Sequence, residues 1–445
     1  MAKYKVLHVA AEAAPFAKVG GLADVLGSLP KAENQLNSEF LASVVIPCYD
    51  VIDRRRHRLV EIARASVLFE EREYSVRLFK THHFNVDFYF IQNKEFLGGG
   101  KIYLTRRDEL LKQLKRYEFF SGAVLQLIAQ GKLTADILHC HDWHSAPLLP
   151  LTTIPSVFTI HNLANQGPIE KAPNFMKLGI ENADIITTVS PSYRDEVLTP
   201  EFGEGLHEVL RKREKDFYGI LNGIDYDVFN PETDPSVPFH YNWRNLEEKK
   251  KNKKILQKIF DLETDEKKMV IGVVSRLVWQ KAIDTAVPLF QKCTNVQWVI
   301  LGTGDREIEE ALKLGARGLK NVRIDITFSL DLASKIYAGS DLFFMPSRFE
   351  PCGLGQMIAM RYGTLPFVKA VGGLKDTVED LVDGFVFERG VEMMPKLRLA
   401  KRIFSQEPAR WRKMQERAMR KDFSWKKSAK KYIGLYRKLA SQFKI

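Results

Sequence analysis

Lys5–Leu26, KVLHVAAEAAPFAKVGGLADVL, holds an apolar run, a lysine two residues before a pair of glycines, and then a helical pattern. An apolar run that ends in a glycine turn and passes into a helix is the first half of a βα unit. The cadence continues down the chain. LASVVIP, VDFYFIQ, DILHC, SVFTI, DIITTV and FYGIL read as strands through the first half, and MVIGVV, VQWVIL, NVRID, DLFFMP and TLPFV through the second. Between the two series, NPETDPSVPFHYNWRN (Asn230–Asn245) leads into EEKKKNKK (Glu247–Lys254), the composition of a linker followed by a charged helix start. Strands alternating with helices in this way build parallel sheets, here twice over. Two α/β domains of this kind are expected to bind ligand in a cleft at the carboxyl ends of their strands.

The totals agree. A chain of 445 residues exceeds what one hydrophobic core covers, and 45% hydrophobic with 27% charged residues is the make-up of a folded protein. The four cysteines, Cys48, Cys140, Cys293 and Cys352, have no CxxC spacing, which reads as a reducing, intracellular setting. No 18 apolar residues run together, and His8 and Glu12 interrupt what would have to be the core of a signal peptide, so the amino terminus reads as a buried strand. Net charge is +12, but Lys396–Ile445 holds 17 Lys and Arg against 3 Asp and Glu, so the other 395 residues carry −2. A basic terminus is first a solvated helix face and only second a site for acidic partners, and no nucleic-acid-binding signature accompanies it. SWKKSAKKYIGLYRKLASQF places Trp425, Ala429, Tyr432, Tyr436, Leu439 and Phe443 on one face of an amphipathic helix that must dock.

Chemistry concentrates at the predicted strand ends. VGGL (Val19–Leu22), LGTGD (Leu301–Asp305) and a second VGGL (Val371–Leu374) are turns whose amides suit phosphate, with plain turn geometry as the alternative. SRLVWQKAID (Ser275–Asp284) sends out Arg276 and Lys281, two cations able to hold a diphosphate, or else two surface charges. In PSRFEPCGLGQMIAM (Pro346–Met360), Glu350 precedes a helix starting at GLGQ, where its carboxylate suits sugar hydroxyls or a helix cap. DILHCHDWHSAPL gathers His139, His141 and His144 around Asp142. Metal ligation is one reading, and hydrogen bonding to backbone or Asp is the commoner one. His161 and Asn162 lie just past SVFTI, in the ligand-contacting position of such sheets, with a structural histidine as the competing reading. IDYD (Ile224–Asp227) follows NG and reads as a turn rather than a cation site.

In this order, KVGGLADVLGSLP, HCHDWHSAPL, VFTIHNLANQGP, ILNGID, SRLVWQK, SRFEPCGLGQ and VGGLKDTV, spread over Lys18–Val378, resemble the bacterial-type glycogen and starch synthases. That resemblance implies a GT-B type fold: two Rossmann-like domains facing each other across a deep cleft, with the C-terminal helix crossing back to the first domain. The expected bounds are 1–218 for the acceptor-side domain, completed by a helix over 415–445, and 219–414 for the nucleotide-sugar domain. It implies a cytoplasmic, metal-independent, retaining glucosyltransferase without cofactor, acting on ADP-glucose or UDP-glucose and an α-1,4-glucan acceptor. Neither nucleic acid nor membrane is among its partners, and self-association into a homo-oligomer is left open.

Matched by motif, Lys18, Gly20 and Gly21 resemble the family's loop beside the donor, and Arg276 and Lys281 its diphosphate pair. Glu350 resembles the residue that holds the donor sugar, with Cys352, Gly353, Leu354 and Gly355 in the same donor-binding loop. His161 and Asp142 resemble the family's histidine and aspartate of the active cleft, and Asn222 the asparagine of its hinge loop. Ile358 stands where the wider superfamily has a second glutamate, as in the synthases. Gly355 replaces a common threonine and Ala282 a usual glycine, departures that bear on donor affinity. Another retaining sugar-nucleotide transferase, an epimerase of the same fold, or a non-catalytic glucan-binding protein are the competing readings.

Overall fold

A computed structural model describes residues 3–104, 109–167 and 173–445. The chain divides into two compact units, Met1–Gly223 with Trp425–Ile445, and Ile224–Ser424. The first is built on β1 (Tyr4–Val9), β2 (Phe40–Pro47), β3 (Val60–Phe69), β4 (Arg72–His83), β5 (Val86–Gln92), β6 (Ile137–His141), β7 (Ser156–Ile160), β8 (Ile185–Thr188) and β9 (Phe217–Gly219). Their order is β3-β4-β5-β2-β1-β6-β7-β8-β9. All pairs are parallel except β3–β4 and β4–β5. Strands β6 and β7 are buried along their whole length, and apolar residues outnumber the polar ones in both.

The β3–β4 hairpin has no counterpart among the predicted strands. Strand β3 exposes every second residue over its first half, so no apolar run marks it. Its turn carries Glu70 and Glu71, both left-handed at φ +47° and +62°, where Asn or Gly would ordinarily signal a hairpin.

The second unit holds β10 (Met269–Val274), β11 (Val296–Leu301), β12 (Val322–Asp325), β13 (Leu342–Met345), β14 (Leu365–Lys369) and β15 (Phe385–Phe387), all parallel. Their order, β12-β11-β10-β13-β14-β15, is the doubly wound 3-2-1-4-5-6 arrangement, with its switch point between β10 and β13.

Two expectations change. The Pro- and Asn-rich stretch after Gly223 is no free linker: Tyr241 is buried and donates to the Tyr362 carbonyl at 2.7 Å, while the Tyr362 hydroxyl donates to Asp234 at 2.5 Å. Two of the five lysines of the run in the helix Glu247–Ile259 also turn inward. Lys249 donates to the Ala338 carbonyl and the Thr364 hydroxyl at 2.8 and 2.7 Å, and Lys253 pairs with Asp341 at 2.7 Å. Burial lowers the Lys249 amine to about 7.

The helix expected over 415–445 is two helices, Pro408–Arg420 and Trp425–Phe443. Trp425, Ala429, Tyr432, Tyr436 and Leu439 pack into the core of the first unit, whereas Phe443, expected on the same face, is 39% exposed. Among the described residues no helix is long and apolar enough to cross a membrane.

Candidate active site

In the first unit the site is assembled at the carboxyl ends of β1, β6 and β7. Beyond β1 the chain dips inward at Glu12, 2% exposed, whose carboxylate accepts from the amides of Val19 and Gly20 at 2.5 and 3.2 Å. Burial raises the Glu12 pKa against these bonds. Glu12 thus shapes the glycine loop from beneath. Its only sequence signal was an acid inside an apolar segment, read as a break in a leader peptide and not as a loop anchor. Lys18 reaches outward and pairs with Asp24 at 2.5 Å. Gly20 caps the helix Gly21–Gln35, and a Cβ on Gly21 would meet nothing within 4 Å.

Asp142 follows β6 in a left-handed conformation, φ +55°. Its carboxylate accepts from the His161 amide at 2.7 Å and from the Asn162 amide, fixing the turn after β7. Burial pushes Asp142 up to about 7, with the nearby Glu12 carboxylate adding to the rise. The His161 ring is bonded through Nε2 to His141 Nδ1 at 3.0 Å, and burial lowers it to about 3, so it is neutral. The motif containing it runs to Pro168, which lies outside the described residues.

His8, His139 and His141 cluster closely enough to share an ion. All six of their ring nitrogens already have protein partners: Glu33, His141, Tyr436, Thr159, His8 and His161. The cluster is therefore a hydrogen-bonded network. His144 stands apart from it, buried, with Nδ1 lacking a partner among the described residues and its ring tilted 31° against Trp143 at 4.0 Å. Asn222 is buried, and its side-chain oxygen has no partner among the described residues. Asp225 and Asp227 form the expected turn, Asp225 accepting from the Asp227 amide at 2.9 Å.

In the second unit two of the predicted residues, Lys281 and Glu350, meet at the switch point. Arg276 and Lys281 follow β10, and Glu350 follows β13. Lys281 pairs with Glu350 at 2.5 Å, with Lys281 17% and Glu350 5% exposed, and Glu350 also accepts from the Ser347 hydroxyl at 2.9 Å. The pairing settles the helix-cap alternative: no side-chain cap serves the helix Gly355–Arg361. Arg276 is exposed, and its side chain has no partner among the described residues. Cys352 is buried, Gly353 is left-handed at φ +72°, and Leu354 precedes the helix. The Gln356 amide ties this loop down by donating to the carbonyls of Cys352 and Gly353 at 3.1 and 2.8 Å.

Two of the glycine turns answer to packing. A Cβ on Gly304 would fall 2.1 Å from the Leu277 carbonyl oxygen, so LGTGD is shaped by the SRL segment beside it. A Cβ on Gly373 would fall 2.3 Å from the Cys352 carbonyl oxygen, which seats the second VGGL against the Glu350 loop.

The departures also find reasons. Ala282 is left-handed at φ +50°, the conformation that makes a glycine usual there. At Gly355 a Cβ would lie 2.9 Å from the Phe343 ring, so this chain has exchanged a hydroxyl for ring packing. Gly355→Thr is expected to destabilise the second unit by about 1–3 kcal/mol through overpacking, read as a lowered denaturant midpoint.

The family profile described as "Starch synthase catalytic domain" matches residues 5–212, and that of "Glycosyl transferases group 1" matches 254–419. A glycogen synthase of Streptococcus agalactiae is 39% identical, the alignment covering 98% of this chain and 100% of the relative. One from Thermosipho melanesiensis is 37% identical over 98% and 99%. Among solved structures, the catalytic domain of starch synthase IV from Arabidopsis thaliana, bound to ADP and acarbose, superposes with a TM-score of 0.89 at 32% identity, covering 99% of this chain and 100% of that one. The sucrose-phosphate synthase of Thermosynechococcus elongatus shares the fold, with a TM-score of 0.65 at 18% identity over 99% and 100% of the two chains. The chain belongs to the glycogen and starch synthase family of glycosyltransferases, with the GT-B fold.

Proposed function

We propose that this enzyme transfers glucose from ADP-glucose to the 4-hydroxyl at the non-reducing end of an α-1,4-glucan, with retention and without a metal ion. The observation that carries the reading is the Lys281–Glu350 pair at the switch point of the second unit, with Arg276 exposed on the same segment after β10. A departing nucleoside diphosphate gathers negative charge as its bond to the anomeric carbon breaks, and preorganised cations stabilise it without a metal. Glu350, already charge-neutralised by Lys281, accepts from sugar hydroxyls. The ADP in the Arabidopsis relative supports adenine over uracil.

In this reading Lys18 can leave Asp24 to offer its charge to an anionic ligand, and the open space above Gly21 leaves the loop backbone accessible. The side-chain oxygen of Asn222, without a partner among the described residues, is a further acceptor in the first unit. His161, neutral, offers a hydrogen bond rather than a charge. Double displacement needs a free carboxylate beneath the sugar. The Asp142 carboxylate is committed to two amides and Glu350 to Lys281, which favours same-face attack with the departing phosphate taking the acceptor's proton.

The test supplies ADP-glucose or UDP-glucose with glycogen primer in excess chelator. Lengthened α-1,4 chains, faster from ADP-glucose, are expected. Complete loss in chelator overturns metal independence, faster growth from UDP-glucose overturns the donor assignment, and donor turnover without chain growth overturns the acceptor.

A further inference from the structure

We propose that Glu33, remote from the reacting atoms, is a positioning residue: through His8 and His141 it fixes His161 as the tautomer protonated on Nε2, with Nδ1 bare. The inference rests on the reading of His161 as part of the transfer site.

The argument is one of forced directions. A carboxylate oxygen only accepts, so the 2.9 Å bond between Glu33 and His8 Nε2 places a proton on that nitrogen. With that single proton on the His8 ring, Nδ1 accepts, at 3.0 Å, from His141 Nε2. His141 Nδ1 must in turn accept, at 3.0 Å, from His161 Nε2. Burial keeps His141 and His161 neutral, so neither can donate from both nitrogens.

The other oxygen of Glu33 is committed as well. It accepts from the Tyr436 hydroxyl at 2.8 Å, whose oxygen accepts from His139 Nδ1 at 2.7 Å. His139 Nε2 then accepts from Thr159 at 2.7 Å, and Thr159 from Thr187 at 2.6 Å. One carboxylate, 2% exposed, orients two lines of buried hydrogen bonds, and no water is needed to complete either.

At the outer end, the backbone of His161 is held by Asp142 and its ring by His141, and Nδ1 has no partner among the described residues. The nitrogen left for a ligand is an acceptor, suited to a hydroxyl of a bound sugar. A second proton on His8 would turn every link round and present an N–H at Nδ1 instead.

Nitrogen-15 NMR of the full-length chain, with histidine rings labelled and His161 identified by loss of its signals in His161→Asn, reads the tautomer directly. Wild type is expected to show a protonated Nε2 and an unprotonated Nδ1 at His161. In Glu33→Gln the amide can donate to His8, so the His161 tautomer is expected to become mixed or inverted. Its kcat is expected to fall about tenfold, the worth of one hydrogen bond, with donor KM within about twofold. Tyr436→Phe, which spares the His8 arm, is expected to leave the tautomer unchanged. Protonation at Nδ1 in wild type, an unaltered tautomer in Glu33→Gln, or a changed tautomer with wild-type kcat overturns the proposal. The wild-type spectrum alone decides it where the glutamine variant does not fold. If the tautomer shifts as stated but even the wild type extends no glucan, the transfer reading fails and the tautomer control stands.

Discussion

Replacing Lys281 with alanine is expected to lower kcat on ADP-glucose and glycogen by about 10²–10³-fold, the usual consequence of removing one preorganised donor from developing negative charge. The same substitution strips Glu350 of its cation. With Glu350 only 5% exposed and the Ser347 hydroxyl as its remaining side-chain partner, an unpaired buried carboxylate costs about 3–5 kcal/mol. Loss of activity could then come from loss of the fold. The double variant Lys281→Ala/Glu350→Gln separates the two, because the neutral amide no longer needs a cation. It is expected to recover most of the melting temperature lost by Lys281→Ala and none of the rate. Recovery of rate together with stability would show Lys281 to be a tether for the loop and not part of the transfer chemistry.

Deleting Trp425–Ile445 is expected to abolish the folding of the first unit while the second keeps a cooperative transition. Trp425, Tyr432, Ile433, Tyr436 and Leu439 are all buried in the same core as β1 and β2. At about 1.5–3 kcal/mol for each fully buried large side chain they account for roughly 10 kcal/mol, comparable with the ~5–15 kcal/mol total stability of a typical domain. Calorimetry of the truncated chain should show one transition where the full chain shows the contribution of both units. A truncated chain with unchanged melting would overturn the argument. Deletion is therefore the wrong way to ask what the basic terminus binds. The lysines of this helix that face solvent, Lys426, Lys427, Lys430 and Lys431, can be neutralised without touching the buried face.

The parallel core of each unit was legible because a strand covered on both faces is mostly apolar, and β6, β7 and β11 are buried at every residue. The β3–β4 hairpin was not, since it shows alternate residues to solvent and turns on two glutamates. The candidate residues at strand ends, Arg276, Lys281, Glu350, Asp142 and His161, stood out by position. What each touches did not: Lys281 meets Glu350 across 69 residues, and Tyr436 meets Glu33 across 403. No local period encodes such pairs. The trace they left was polar groups where the pattern called for apolar ones, His8 within KVLHVAA and Tyr436 on the buried stripe of the last helix. The glycine turns carried less information, because LGTGD and the second VGGL need glycine beside neighbouring carbonyls whatever they bind.

The return of Trp425–Phe443 to the first unit also fixes the order in which the protein matures on the ribosome. Domains ordinarily fold as they emerge, amino-terminal first. Here the first unit waits for a helix made after the second, while Ile224–Ser424 is continuous and can close as soon as it clears the exit tunnel. For the time needed to synthesise some two hundred intervening residues, the nascent first unit keeps open the apolar face that Tyr432 and Tyr436 later cover. Chaperone capture of stalled nascent chains should therefore persist until the final helix is released.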